Sequence, residues 1–391
     1  MSKLKYEIIN KIHIFSALLP RKYNSWVFGC WEGRLYADNS KYLFEYINHN
    51  HPEVECIWLT KSDEVQNELQ NKGLKCYKKY SIKGIVAAAR AEFAFTTSNE
   101  IDDISPFVNR KRTKVIQLWH GVAAKAAKWK DEKGHLMFGA DAGKRYAAYF
   151  WMATSDKYID IMCSFTHALK ERFYITGYSR NDTFITRPRN PNVEEILKAH
   201  REKRFIIYMP THRNFGKQSI SLEEFSWLND QLREANIIMV YKPHFHELQN
   251  LVNLNLNLTN ILLANDEKTW GDVYSYIHCF DLLISDYSSI AFDFLCADKP
   301  IVLYTYDLEY YRTHDAGLWD FFEKVPAGPF CFTWQEVMQQ VKSLLENDTW
   351  HEKREICRKM FHPFKDGRNS ERIYEALIKI RAGETEYDAE G

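Results

Sequence analysis

From Ser25 onward, short runs of consecutive apolar residues alternate with longer segments in which apolar residues recur every three or four positions. Runs of the first kind predict buried strands, and segments of the second kind predict amphipathic helices. "SWVFGCW", "ECIWLT", "FAFTTS", "KVIQLWHG" and "YFWMATS" read as strands. Between them lie "NSKYLFEYINHN", with Asn39 as its expected cap, "SDEVQNELQNKG", which Gly73 can end, and "YSIKGIVAAARAE". "YITGYSRND" follows another helix and closes this half. A stretch rich in proline, asparagine and charge predicts a linker near Ile185 to Asn192. The pattern then restarts, and "RFIIYMPTHR", "IIMVYKPHFHE", "DLLISDYSS" and "PIVLYTYD" each run from a strand into a polar cluster. Such alternation predicts an α/β protein with two parallel sheets, each with helices on both faces.

The ends of the chain read differently. Leu4, Ile8, Ile12, Phe15 and Leu19 form a helical stripe among Lys3, Lys5, Lys11, Arg21 and Lys22. A basic amphipathic helix of this kind either lies on an anionic membrane surface or docks on its own domain. Glu7, Lys11 and His13 interrupt any signal-peptide core, and no run approaches the roughly 18–20 apolar residues that span a bilayer. The expected division is an N-terminal helix over 1–22, a first parallel-sheet domain over 23–186, a second over 187–364, and a last segment over 365–391.

Composition narrows the classes. A formal net charge of +0 argues against a dedicated nucleic-acid binder, which carries a basic face. The eight cysteines are scattered without a C-x-x-C pair, so buried free thiols in a reducing compartment are expected, with no disulfide framework and no zinc ribbon.

In an open parallel sheet, ligands bind beyond the carboxyl ends of the strands. Four polar clusters at strand ends in the second half are therefore the candidate site. Ser288 and Ser289 follow a strand and begin a helix; backbone N–H groups there, joined by two hydroxyls, suit a phosphate without a metal, while a plain cap is the simpler alternative. Thr211 and Arg213 follow another strand, and arginine offers bidentate donors to phosphate. His244 and His246 share a face of an extended segment, but a metal reading needs further ligands, so no metal and no cofactor is expected. Asp286 either orients the serine turn or plays a structural part. Glu309, with Asp307, either reaches ribose hydroxyls or is a solvated acid. In the first half, His120 ends a strand and Gly121 follows it. The histidine is either a packed strand-end residue or a group held at a cleft where glycine leaves room for an acceptor.

In this order along the chain, "YADNSKYLFEYI", "QLWHG", "GYSRND", "YMPTHR", "KPHFHE", "SDYSSIAFDFLCADKPIVLYTYDLEYY", "AGPF" and "DGRNSERI" resemble the CDP-glycerol glycerophosphotransferase family, the teichoic-acid primases and polymerases and their capsule relatives. The resemblance spans roughly Tyr36 to Tyr374 and implies a GT-B type fold. Two Rossmann-like domains would face a cleft, and a C-terminal helix would cross back to the first. It implies transfer of glycerol phosphate or ribitol phosphate from a CDP-activated donor to a hydroxyl of a lipid-linked or polymeric glycan acceptor, with release of CMP. Such an enzyme would work in the cytoplasm, peripherally on the inner face of a bacterial cell membrane. His120 falls on the family's proposed base, His244 on its second histidine, Ser288 and Ser289 on its serine pair, and Arg213 on its arginine. Asn39 and Gly121 would lie on the acceptor side. His212 replaces the usual tryptophan, Phe245 a common proline, and "WHGVAAKAAKWK" the common continuation after the base. Two alternatives remain: a GT-B glycosyltransferase using a nucleotide sugar, and a non-catalytic assembly factor at the membrane surface.

Overall fold

The computed structural model describes residues 18–122, 124, 146–166, 168–211, 213, 220–243, 258–314 and 317–383. Most of the expected N-terminal helix, and His212, His244, Phe245 and His246, lie outside the described residues. The chain forms two units: Met1–His120, Phe138–Asp182 and Asp366–Gly391 make the first, and Gly121–Met137 and Thr183–Lys365 the second.

The first unit is built on β1 (Ser25–Phe28), β2 (Glu55–Thr60), β3 (Cys76–Lys78), β4 (Phe93–Thr96), β5 (Lys114–Gln117), β6 (Phe150–Ala153) and β7 (Phe173–Ile175). They pair in the order β3-β2-β1-β4-β5-β6-β7, parallel throughout. In register, Val27 lies between Ile57 and Ala94. Strands covered on both faces are apolar at successive positions rather than alternating, which is why these runs were legible. Trp26, Phe28, Trp58, Phe93 and Phe95 form one core with Leu43, Phe44 and Ile47 of the helix Asp38–Asn50. Ile373, Leu377 and Ile380 of the last helix, Asn369–Ala382, complete it.

That last helix is anchored by a distant carboxylate. Arg368 at its N-cap makes no capping bond. Asp182 accepts from the amides of Asn369 and Ser370, each at 2.8 Å, and from Ser370 Oγ at 2.7 Å. Asn369 Nδ2 also donates to the Tyr178 carbonyl at 3.0 Å. Gly177 has φ +78°, and a Cβ there would land on the Asn369 side chain, so glycine is required on both counts.

The second unit is built on β8 (Arg204–Tyr208), β9 (Ile237–Tyr241), β10 (Ile261–Leu263), β11 (Leu282–Ser285), β12 (Ile301–Tyr304) and β13 (Phe330–Cys331). The order is β10-β9-β8-β11-β12-β13, again parallel. Capping boxes at Ser221/Glu224 and Thr333/Glu336 start two helices, Leu222–Glu234 and Trp334–Glu346, that pack on this sheet. β3, β10 and β13 were not expected from the pattern; with two or three residues each at a sheet edge, they carry too short an apolar signal.

Both sheets reverse their strand order once, between β1 and β4 and between β8 and β11. Crevices for ligands open at the carboxyl ends of the strands flanking such reversals.

Candidate active site

In the first unit, β5 ends at Gln117, and two hydrogen bonds and two positive φ values turn the chain. Gln117 Oε1 takes the Trp119 amide at 2.9 Å, and Gln117 Nε2 donates to the Ser98 carbonyl at 2.7 Å. Trp119 sits at φ +51° and Gly121 at φ +138°. His120 is exposed between them. Its ring stacks on buried Trp119, centroids 4.5 Å apart and planes at 23°. His120 Nδ1 lies 2.8 Å from the Thr97 carbonyl oxygen. A carbonyl only accepts, so Nδ1 carries the proton and the lone pair of the neutral ring sits on Nε2.

The carbonyl that orients His120 is itself fixed. The loop after β4 wraps round Asp103, which is fully buried. Asp103 Oδ2 accepts from Thr96 Oγ1 at 2.6 Å and from the Thr97 and Ser98 amides at 2.9 Å each; Oδ1 accepts from the Glu32 amide at 2.9 Å. Asn39 holds the other side. It lies in the first turn of its helix, whose N-cap is Ala37, so it does not cap as expected. Its side chain is fully buried instead, and Nδ2 donates to the Leu118 and Trp119 carbonyls at 3.1 and 3.0 Å. Asn39 Oδ1 accepts from the Arg180 amide at 3.2 Å, and Arg180 pairs with Asp38 at 2.5 Å. Asn39 is therefore a clamp on the backbone that carries His120, rather than a group facing an acceptor. Asp103 and Gln117 were missed in the sequence. Their only signal was polarity inside or beside buried runs, which does not name a partner.

In the second unit, the carboxyl ends of β8 and β11 are tied together. Asp286 is buried and accepts from the Thr211 amide with both oxygens, at 2.9 and 3.0 Å. Ser285 Oγ donates to the Met209 carbonyl at 2.8 Å. Arg213 is not a free cation. Its buried guanidinium meets Asp286 at 2.8 Å, grips Asp307 through Nε and Nη2 at 2.7 and 3.1 Å, and donates to the Thr211 carbonyl at 2.8 Å. Burial opposes its charge, but the Asp286 carboxylate above all, with Asp307, holds it above the ordinary arginine range. Burial, with Asp307 and Asp286 nearby, pushes the Tyr287 phenol up, so it stays a donor to Asp307 at 3.1 Å. A phosphate reaches Arg213 only by competing with these carboxylates, and Asp286 is occupied as a brace rather than open to a ribose.

Ser288 and Ser289 are half-buried. Ser289 stands at the N-cap of Ile290–Asp293 without a side-chain capping bond. The expected helix is one α turn that tightens into a 3₁₀ turn over Phe294–Ala297, so its dipole is smaller than that of a long helix. Thr211 Oγ1 is buried without a hydrogen-bond partner. Lys242 follows β9; burial pushes its ammonium down, against the pull of Asp272, Glu267 and Asp266. Glu309 is exposed and paired with Arg312 at 2.9 Å. Among the described residues, no group of three or more histidine, cysteine or acidic side chains could hold a metal ion. All eight cysteines are free thiols.

Comparisons with known proteins bear on this geometry. The model of a family described as CDP-glycerol:poly(glycerophosphate) glycerophosphotransferase matches residues 12–379. A teichoic acid poly(glycerol phosphate) polymerase of Bacillus subtilis (strain 168) is 26% identical over 412 residues, covering 97% of this chain and 52% of the relative. The chain thus spans about half the length of that polymerase. A teichoic acid glycerol-phosphate transferase of Staphylococcus aureus is 25% identical over 380 residues, covering 92% of this chain and 94% of the relative. Among solved structures, the wall teichoic acid polymerase TagF superposes with TM-score 0.77 at 20% identity, covering 96% of this chain and 95% of that one. A UDP-GlcNAc 2-epimerase from Neisseria meningitidis superposes with TM-score 0.55 at 13% identity, covering 90% and 99%. At these identities the structural likeness establishes the fold alone, an α/β fold of the GT-B type.

Proposed function

The chain belongs to the CDP-glycerol:poly(glycerophosphate) glycerophosphotransferase family, and from that premise we propose that it moves a polyol phosphate from a CDP-activated donor, CDP-glycerol or CDP-ribitol, to an acceptor hydroxyl. The acceptor is a polymeric or lipid-linked glycan of the teichoic-acid or capsule kind. One observation carries the assignment of the base: the Thr97 carbonyl fixes the tautomer of His120, an exposed residue, and leaves its lone pair on Nε2. An alcohol is a poor nucleophile near neutral pH, and a neutral imidazole within hydrogen-bond reach accepts its proton as the bond to phosphorus forms. The acceptor oxygen then bonds to the phosphorus that bears the polyol. The bond from that phosphorus to the bridging oxygen breaks, and CMP leaves with the electron pair.

Donor phosphates are assigned to the second unit, where Ser288, Ser289 and the unpartnered Thr211 hydroxyl offer neutral donors. Arg213 acts by holding Asp286 and Asp307 in place. His244 retains its place in the proposal as a second catalytic group. Asn39, Gln117 and Asp103 position His120, and Gly121 leaves space beside it. A lipid-linked acceptor and a seat on the inner face of the membrane complete the reading, supported by the basic amphipathic stripe from Leu4 to Leu19. No described helix is long and apolar enough to cross a membrane.

The test is incubation with CDP-glycerol, CDP-ribitol and a panel of UDP-sugars, with detection of CMP or UDP and mass spectrometry of the product. His120→Ala should lower turnover by roughly 10²- to 10⁴-fold with donor KM little changed. Release of UDP from a sugar nucleotide, or near-normal turnover of folded His120→Ala, would overturn the reading.

A further inference from the structure

One cavity lies at neither of these places. A hollow of about 760 Å³ opens in the first unit, lined by Arg21, Lys111, Arg112, Lys114 and Arg172 together with Tyr23 and Phe150. Lys114 begins β5, whereas His120 lies beyond the opposite end of the same strand. Arg110 also lines the hollow but pairs with buried Glu100 at 3.3 Å. Four of the other cations meet neutral partners. Arg21 donates to the Arg112 carbonyl at 3.1 Å, Arg112 to the Leu19 carbonyl at 3.0 Å, and Lys114 to the Ile380 carbonyl. Arg172 lies over the Phe150 ring, 4.6 Å from its centroid. Burial, followed by the nearby Arg21 charge, pushes the Lys114 ammonium down. In a chain of net charge +0, this gathers positive charge in a concave site; none of its described lining residues is a carboxylate, and Glu92 acts on Lys114 from nearby.

We propose that this cavity binds the phosphoryl group of an anionic ligand. Held guanidinium groups bind phosphate oxygens through charge-assisted bonds and lose little freedom in doing so. A phosphate monoester or diester can arrive as a membrane-lipid headgroup or in solution. Leu18 and Tyr23, 74% and 67% exposed beside Arg21, favour the headgroup, since apolar and aromatic groups next to cations suit a lipid interface. Binding here is independent of whether the chain transfers a polyol phosphate.

The test uses the full-length protein and the double variant Lys111→Glu/Arg172→Glu, with Lys198→Glu in the other unit as a charge control. Sedimentation is measured with phosphatidylcholine vesicles, with and without phosphatidylglycerol, at low salt. Melting temperature is measured against inorganic phosphate and pyrophosphate, with chloride as reference. Retention on anionic vesicles that falls roughly 10- to 30-fold in the double variant, but not in Lys198→Glu, supports the site with lipid as source. Stabilisation by phosphate or pyrophosphate that the double variant loses, without vesicle binding, supports it with a soluble source. If the glutamate variant does not fold, Lys111→Gln/Arg172→Gln gives the same reading with a smaller loss. Equal binding by wild type and double variant, equal loss in Lys198→Glu, or no response to any probe overturns the proposal.

Discussion

Replacing Asn39 tests whether His120 works because its backbone is clamped. Asn39→Ala removes two donor contacts, to the Leu118 and Trp119 carbonyls, and two acceptor contacts, from the Arg180 amide and, at 3.5 Å, from Ser179 Oγ. The site is fully buried, so water does not replace them. An unsatisfied buried group costs about 1–3 kcal/mol. Carbonyls keep a second lone pair and the loop relaxes, so a loss of about 2–4 kcal/mol of stability is expected for these contacts together. Activity should fall separately. With Trp119 unclamped, its stacked His120 drifts, and a misplacement of about 1 Å can cost roughly 10²-fold in rate. We expect kcat down by about 10- to 100-fold and donor KM unchanged, because donor phosphates are assigned to the other unit. Asn39→Asp keeps the size but sets a carboxylate against two carbonyl oxygens, and should be at least as damaging. The assay is CMP release at saturating acceptor, run well below each variant's melting temperature. A merely structural role would lower stability and leave kcat alone. If folded Asn39→Ala and Asn39→Asp both keep kcat within twofold of wild type, the clamp argument is wrong.

Ser288→Ala/Ser289→Ala should weaken CDP-glycerol about 10- to 100-fold while cytidine is indifferent, since charge-assisted bonds contribute about 1.5–3 kcal/mol each and these hydroxyls are half-exposed. Calorimetric titration of both ligands checks this, and equal losses would remove the serines from the phosphate site. Burial would raise the Glu55 carboxyl, but Lys22 and Lys75, each at 2.6 Å, and Ser25 hold it down at about 2. Its folded pKa is therefore below its unfolded one, so its contribution is complete above about pH 4.5 and disappears as pH falls toward 2. Glu55→Gln should cost about 1–2 kcal/mol at pH 7 after allowance for half-exposed lysine partners, and nothing near pH 2. Chemical denaturation at a series of pH values measures it; a constant difference would refute the linkage.

The principal strands were legible because buried parallel strands are apolar at successive positions, a signal carried within four to eight residues. The polar residues after them were legible for the same reason, as the place where that signal stops. What was not legible is where those polar groups point. Asn39 read as a helix cap, yet its partners lie 79 and 80 residues on. Asp182 and Ser370 stood in two quoted segments, with nothing local to join them across 188 residues. The helix after Ser289 looked longer because Ile290, Phe294 and Leu295 keep a helical spacing. The chain instead ends it at Asp298, which sits at φ +55° two residues before Pro300. Spacing reports which face is apolar; it does not report how many turns the tertiary context allows.

Arg213 shows the same limit with a chemical consequence. Read alone, an arginine after a strand is a phosphate ligand. In place, one guanidinium is shared by two carboxylates, so the three groups together carry one net negative charge when both acids are ionised. That cluster lies where the strand order of the second sheet reverses, the position at which a ligand crevice is expected. A diphosphate brought there gains nothing from long-range attraction to Arg213, since Asp286 and Asp307 cancel it. In the proposed reading, recognition falls to groups that act only at contact: the two serine hydroxyls and the Thr211 hydroxyl. Neutral donors bind phosphate less tightly than free cations do, and they release the product more readily. Under the proposed transfer, in which CMP leaves before each new donor enters, a braced arginine behind a neutral cradle suits repeated turnover better than an exposed one.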